Sequence, residues 1–313
     1  MRSRLNGVYT ALVTPWNDDG SFDEPAMRRL VERQIAGGVQ GLVPCGTTGE
    51  AAAQTSNEHE HVVAVVVDQA AGRVPVIAGA GCNNTAHAVE LSRRCAAAGA
   101  DMLLHVTPYY VKPTQAGLIA HFRRVADATD LPIIVYNVPG RAGVTITPAT
   151  AIALAQDSRI IGIKQAVADL DQLSDILADR PQHFAVLCGE DSLTLPMVAL
   201  GANGVISVLS NETPAEFSTL VKSAQIGDLV TARMLHNRLL PLMRANFIES
   251  NPIPVKYALA RLGLMGNVLR EPMTPLSADC QERVDRALER AGLLTKCEVA
   301  TRTVTEPLAV AVG

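Results

Sequence analysis

Along the first two-thirds of the chain, short runs of apolar, largely β-branched residues alternate with longer stretches whose apolar positions recur at helical spacing. The short runs, at 8–13, 41–44, 75–78, 102–106, 133–136, 160–164, 184–187 and 204–208, predict strands. The longer stretches, at 25–36, 57–70, 85–98, 115–128, 148–156, 169–178 and 192–200, predict helices. The strand segments are nearly continuous in apolar residues, the pattern of parallel strands covered on both faces. Eight units of this kind are the number that closes a barrel, so the fold class expected is α/β, a (β/α)8 TIM barrel over residues 1–224. A doubly wound open sheet is the structural alternative. Its dinucleotide fingerprint is missing, because Gly79-Ala80-Gly81 is followed by Asn84 where the third glycine belongs. Beyond about residue 224 the strand signals stop. Helical patterns at 229–244, 255–262 and 278–291 predict a C-terminal helical domain over 225–295, and the tail 296–313 has no clear period.

Composition narrows the class. Of 313 residues, 48% are hydrophobic and 19% charged, which excludes a disordered chain. The formal charge of −4 gives no general polyanion signal, so no nucleic-acid partner is expected. The longest tight apolar run, 62–67, stops at Asp68 and is too short to span a membrane. The opening MRSRLNGVYT lacks the apolar core of a secretory signal. Six scattered cysteines without a C-x-x-C pair read as reduced thiols of a cytoplasmic protein, not as disulfides or a zinc site.

In a barrel of this kind the working residues sit at the C-terminal strand ends. Strand 2 runs into Gly46-Thr47-Thr48-Gly49-Glu50, strand 4 into Thr107-Pro108-Tyr109-Tyr110, and strand 5 into Tyr136-Asn137-Val138-Pro139-Gly140-Arg141. Strand 6 ends in Lys164, and strand 7 in Cys188-Gly189-Glu190-Asp191. Lys164 is the sharpest candidate. At the mouth of an apolar barrel, desolvation disfavours the ammonium form, and a neutral amine is what attacks a ketone to make a Schiff base. Tyr136, on the neighbouring strand, offers a phenol for proton transfer. Thr47 and Thr48 offer hydroxyl and backbone donors, and Arg141 a planar fork suited to a carboxylate. Each has a plainer role open to it: a solvated lysine, a packing tyrosine, a tight Gly-Thr-Thr-Gly turn, a solvated loop arginine.

Other constellations carry less. His59-Glu60-His61 has metal-like residue types, but positions i and i+2 of a helix face different ways. Thr47 stands where a phosphate loop needs lysine, and no Gly-x-Ser-x-Gly elbow occurs. Glu190-Asp191 is explained more simply by a helix N-terminus than by a magnesium site. No metal is expected.

Taken in order, the strand-end motifs of residues 46–50, 107–110, 136–141 and 162–164, with Asn251-Pro252-Ile253-Pro254-Val255-Lys256 and Pro272-Met273-Thr274-Pro275-Leu276, resemble one family. The sequence is similar, over about residues 5 to 292, to the dihydrodipicolinate synthase / N-acetylneuraminate lyase family of class I aldolases. The resemblance implies a Schiff base between Lys164 and pyruvate, and a proton relay of Tyr136, Thr47 and Tyr110. Tyr110 would reach into a neighbouring subunit of a homotetramer built from tight dimers. It further implies that Thr48 holds the pyruvate carboxylate, that Gly189 and Ile206 line the pyruvate pocket, and that Arg141 holds the carboxylate of aspartate 4-semialdehyde. No cofactor is implied. The alternatives are a sister aldolase that cleaves N-acetylneuraminate or a 2-keto-3-deoxy sugar acid, and a non-catalytic pyruvate-binding paralogue. Arg141 favours the synthase branch.

Many members carry a lysine-binding regulatory pocket, and Ala52, His59, Asn83 and Tyr109 match its positions. His87 stands where lysine-sensitive members have glutamate, and Ala51 replaces a serine. Without that carboxylate, weak or absent inhibition by lysine is expected.

Overall fold

The computed structural model describes residues 5–295. Eight strands, β1 (Gly7–Ala11), β2 (Gly41–Val43), β3 (Ile77–Gly79), β4 (Met102–Val106), β5 (Ile133–Asn137), β6 (Ile160–Gln165), β7 (Ala185–Cys188) and β8 (Gly204–Ser207), alternate with helices. The helices of this part are α1 (Glu24–Ala36), α2 (Ser56–Ala70), α3 (Thr85–Ala97), α4 (Gln115–Ala126), α5 (Pro139–Ala142), α6 (Pro148–Ala155), α7 (Leu170–Asp179), α8 (Thr194–Ala199) and α9 (Pro214–Gln225). Three more follow: α10 (Leu229–Ala245), α11 (Ile253–Arg261) and α12 (Ala278–Ala291). All strand pairs are parallel, in the order β2-β1-β8-β7-β6-β5-β4-β3. The parallel bridge Leu42–Val76 joins the two ends and closes the (β/α)8 barrel.

The continuous apolar strands have a simple cause. Successive side chains of a strand point to opposite faces, and here both faces are dry. One set, including Tyr9, Val43, Ile77, Leu104, Ile134, Leu187 and Ile206, packs together inside the barrel. The alternate set, including Val8, Leu42, Leu103, Val135, Ile163, Val186 and Val205, packs outward against the helices. Local signals set the helix starts: Thr55 and Glu58 form a reciprocal capping box at α2, and Asp169 caps α7.

Two helices exceed those the pattern predicts. The short α5 follows strand β5 directly, and α9 is the eighth barrel helix. The buried Phe217, Leu220, Val221 and Ala224 of α9 do carry helical spacing, behind Pro214 in its first turn. The C-terminal helices have no separate core. Leu235, Leu239 and Leu242 of α10, Tyr257 of α11 and Val284 and Leu288 of α12 belong to the same buried cluster as the barrel's outer layer. Among the described residues no helix is long and apolar enough to cross a membrane. The tail from residue 296 lies outside the described residues, as does Cys297. The five described cysteines are free.

Candidate active site

Strand register builds the centre of the site. Tyr136 and Lys164 are paired across β5 and β6, and Lys164 is paired in turn with Leu187 of β7. Tyr136 and Leu187 belong to the inner cluster, so Lys164 shares their face and points into the barrel at its C-terminal end. The lysine is 6% exposed, and its Nζ lies 4.2 Å from the centroid of the Tyr136 ring. Ile206 of β8 is buried in the same cluster. Gly189 follows β7, and its N–H donates to Gln165 O at 2.8 Å. A Cβ at Gly189 would come within 2.7 Å of the Ala166 Cβ, so only glycine lets these two strand ends lie this close.

Glu190 is half-buried beside this centre. Burial, reinforced by the neighbouring Asp191, raises its carboxyl above the ordinary value, while Lys164 and Arg141 pull it the other way. Asp191 opens the short 3-10 helix Asp191–Leu193 ahead of α8, as the helix-start reading expects, and does more besides: it is 2% exposed, and its Oδ2 accepts the N–H groups of Val208 and Leu209 at 3.1 and 2.8 Å. It ties the end of β7 to the end of β8. The neighbouring histidines also have structural work. His59 is buried with Nε2 2.7 Å from Gly79 O, whereas His61 lies on the surface, 3.6 Å from Glu24. Among the described residues no group of three or more His, Cys, Asp or Glu side chains is arranged to hold a metal ion.

The Gly46–Glu50 loop is fixed from below. Glu50 is fully buried and accepts from Trp16 Nε1 at 3.2 Å, from the Arg270 N–H at 3.1 Å, and from the ammonium of Lys256 on α11. Lys256 also donates to Thr14 O at 2.9 Å. Breaking such a buried pair by removing one partner costs about 3–5 kcal/mol. Thr48 is buried and accepts from Asn251 Nδ2 at 3.0 Å, while Thr47 is exposed. Arg141, in the short α5 that follows β5, is exposed and donates through Nη2 to Asn251 O at 3.2 Å. Tyr110 is not brought in among these residues. Its side chain is 87% exposed, with the backbone at φ 73° and its N–H donating to Ala142 O at 3.3 Å. A left-handed, non-glycine tyrosine held out from the surface is a strained arrangement of the kind found at working sites.

The barrel mouth thus holds a buried lysine against a phenol, with Arg141 and Thr48 both hydrogen-bonded to Asn251. Residues 4–291 match the model of the Dihydrodipicolinate synthetase family. The chain belongs to this family. It is 48% identical over 291 residues to a 4-hydroxy-tetrahydrodipicolinate synthase of Chlorobium chlorochromatii, covering 93% of this chain and 98% of that protein. Among solved structures it resembles dihydrodipicolinate synthase from Aquifex aeolicus, with a TM-score of 0.90 at 42% identity, covering 93% of this chain and 99% of that one. It equally resembles the chloride-inhibited dihydrodipicolinate synthase of Acinetobacter baumannii complexed with pyruvate, with a TM-score of 0.91 at 40% identity and coverage of 93% and 100%.

Asn251, Glu50 and Lys256 stand inside the family's motifs, yet residue type alone assigned them no role. What reveals them is contact across about two hundred positions of chain, which no local pattern carries.

Proposed function

We propose that this family member condenses pyruvate with aspartate 4-semialdehyde to give 4-hydroxy-tetrahydrodipicolinate, the step that opens lysine and diaminopimelate biosynthesis. The observation that carries the reading is the buried Lys164 amino group against the Tyr136 ring at the mouth of the barrel. The names of the relatives and their full-length similarity support it.

In this reading Lys164 Nζ attacks the ketone carbon of pyruvate, and water leaves as the imine forms. The protonated imine is an electron sink, so the pyruvate methyl loses a proton and becomes an enamine nucleophile. Its carbon adds to the aldehyde, and the aldehyde oxygen takes up a proton. The amino group of the second substrate then displaces Lys164 from the imine carbon, closing the ring and returning the free amine. Tyr136, Thr47 and Tyr110 move the protons, with Tyr110 supplied by a neighbouring subunit, as its exposure suits. Thr48 holds the pyruvate carboxylate, with Gly189 and Ile206 lining that pocket. Arg141 holds the carboxylate of the aldehyde. Fixing both substrates by their carboxylates supplies the orientation a bimolecular condensation needs. The barrel through residue 224 carries the chemistry, and the helical segment 225–295 braces its mouth. The assembly is a homotetramer of tight dimers working in the cytoplasm.

Borohydride reduction in the presence of pyruvate tests the reading. One pyruvyl unit on Lys164, together with turnover of aspartate 4-semialdehyde in a coupled assay, is expected. An unchanged intact mass, or a label on another lysine, would overturn it. Turnover of N-acetylneuraminate in place of the semialdehyde would move the chain to the sister branch.

A further inference from the structure

We propose that Asn251 is a positioning residue that aims the Thr48 hydroxyl at the carboxylate of pyruvate. The inference deepens the function proposed above and rests on its assignment of Thr48. Asn251 is 5% exposed, Thr48 is 3% exposed, and Asn251 Nδ2 donates to Thr48 Oγ1 at 3.0 Å. A hydroxyl that accepts from an amide keeps its own proton for another acceptor. With the amide reversed, Thr48 would donate to Oδ1 and have no proton left for an anion.

Asn251 Oδ1 is buried without a hydrogen-bond partner. A reversed amide would only exchange this orphan acceptor for orphan N–H donors, so the Nδ2–Oγ1 contact itself is what assigns the donor. The surroundings hold that donor in place. Five residues on, Lys256 grips Glu50, two positions beyond Thr48, so the threonine clamp is tied to the start of α11 at two points. The backbone carbonyl of Asn251 meanwhile accepts from Arg141 Nη2 at 3.2 Å. One residue therefore serves both carboxylate clamps, one through its side chain and the other through its main chain. A side-chain substitution acts on pyruvate and spares the arginine.

That separation gives the test. The half-saturating pyruvate concentration for borohydride trapping, and the KM of each substrate, are measured for the parent, N251L, T48V and T48V/N251L. N251L should raise the pyruvate requirement roughly three- to tenfold, the range of one hydrogen bond, and keep the KM for the semialdehyde within about twofold. Because both residues act through one hydroxyl, the double variant should be no worse than T48V. N251A, checked by circular dichroism, stands in should the leucine disturb folding. A pyruvate requirement unchanged in N251L and N251A, an equal rise for both substrates, or effects that multiply in the double variant would overturn the proposal. A parent protein that traps no pyruvate would instead overturn the functional reading itself, and this inference with it.

Discussion

Lys164 and Tyr136 face each other across β5 and β6 in register, with the lysine Nζ 4.2 Å from the ring centroid. The phenol therefore stands beside the one nitrogen on which the proposed imine forms, fixed there by backbone pairing and not by a flexible loop.

From that placement, Tyr136→Phe should keep the packing and lose the acid–base group. Turnover is expected to fall by roughly 10²–10⁴-fold. Steady-state kinetics of the purified variant decide it, and a variant as fast as the parent would leave Tyr136 with packing alone.

Arg141 is exposed and anchored by a single hydrogen bond to Asn251 O, which leaves the rest of its fork for a ligand. Arg141→Ala should raise the KM for aspartate 4-semialdehyde roughly ten- to hundredfold, the effect of losing a charged hydrogen bond of about 1.5–3 kcal/mol. Pyruvate trapping should be nearly untouched. Equal losses for both substrates would mark a general structural role.

The regulatory pocket of lysine-sensitive relatives needs a carboxylate for the ligand's ammonium. On the family resemblance His87 stands for that residue; it lies on α3, with its Nδ1 3.6 Å from Cys82 Sγ. Losing one charge-assisted contact weakens binding roughly ten- to hundredfold, so half-inhibition by lysine should need more than about a millimolar. An inhibition series on the parent and on His87→Glu checks this, with the glutamate variant expected to be the more sensitive.

Glu212 is fully buried, and desolvation holds its carboxyl well above the ordinary value; Asn246 Nδ2 donates to one oxygen at 2.7 Å and the other has no partner. A carboxyl raised in the folded state stabilises below its unfolded value and gives that contribution up as pH rises towards the folded one. Glu212→Gln should therefore fold, and its melting temperature relative to the parent should improve as pH is raised from about 5 to 9, above the ordinary glutamate value of ~4.3. Melting curves across that range that run parallel for parent and variant would refute it.

How far the sequence could be read divides along the distance between partners. The barrel was legible because its strands are apolar on both faces and its helices carry a 3.6-residue period, both local signals. Lys164 and Tyr136 were legible as strand-end residues of neighbouring strands, and the register that joins them follows from parallel pairing. Arg141 and Thr48 were visible as chemistry, but their shared dependence on Asn251 was not. Asp191 is legible as an acid at a helix start, where the structure has it, but its hydrogen bonds to the next strand end are not. Glu50 and Lys256 carry no local sign of each other, and only the fold brings the two together in a closed interior.

Those two charges lie 206 positions apart, and the order in which a ribosome releases the chain gives that separation a meaning. All eight strands emerge before Lys256 does, so a growing chain can hold a complete sheet while Glu50 still lacks its counter-charge. Contacts this distant in sequence carry a loop-closure cost and form slowly. The Gly46–Glu50 loop, among the first parts of the barrel to be made, must wait for α11 to complete its seat. A nascent chain stopped short of α11 would own the lysine and the phenol without a firm seat for the substrate. The capacity to bind pyruvate productively would thus mark a finished molecule, and serve as a reporter of complete synthesis.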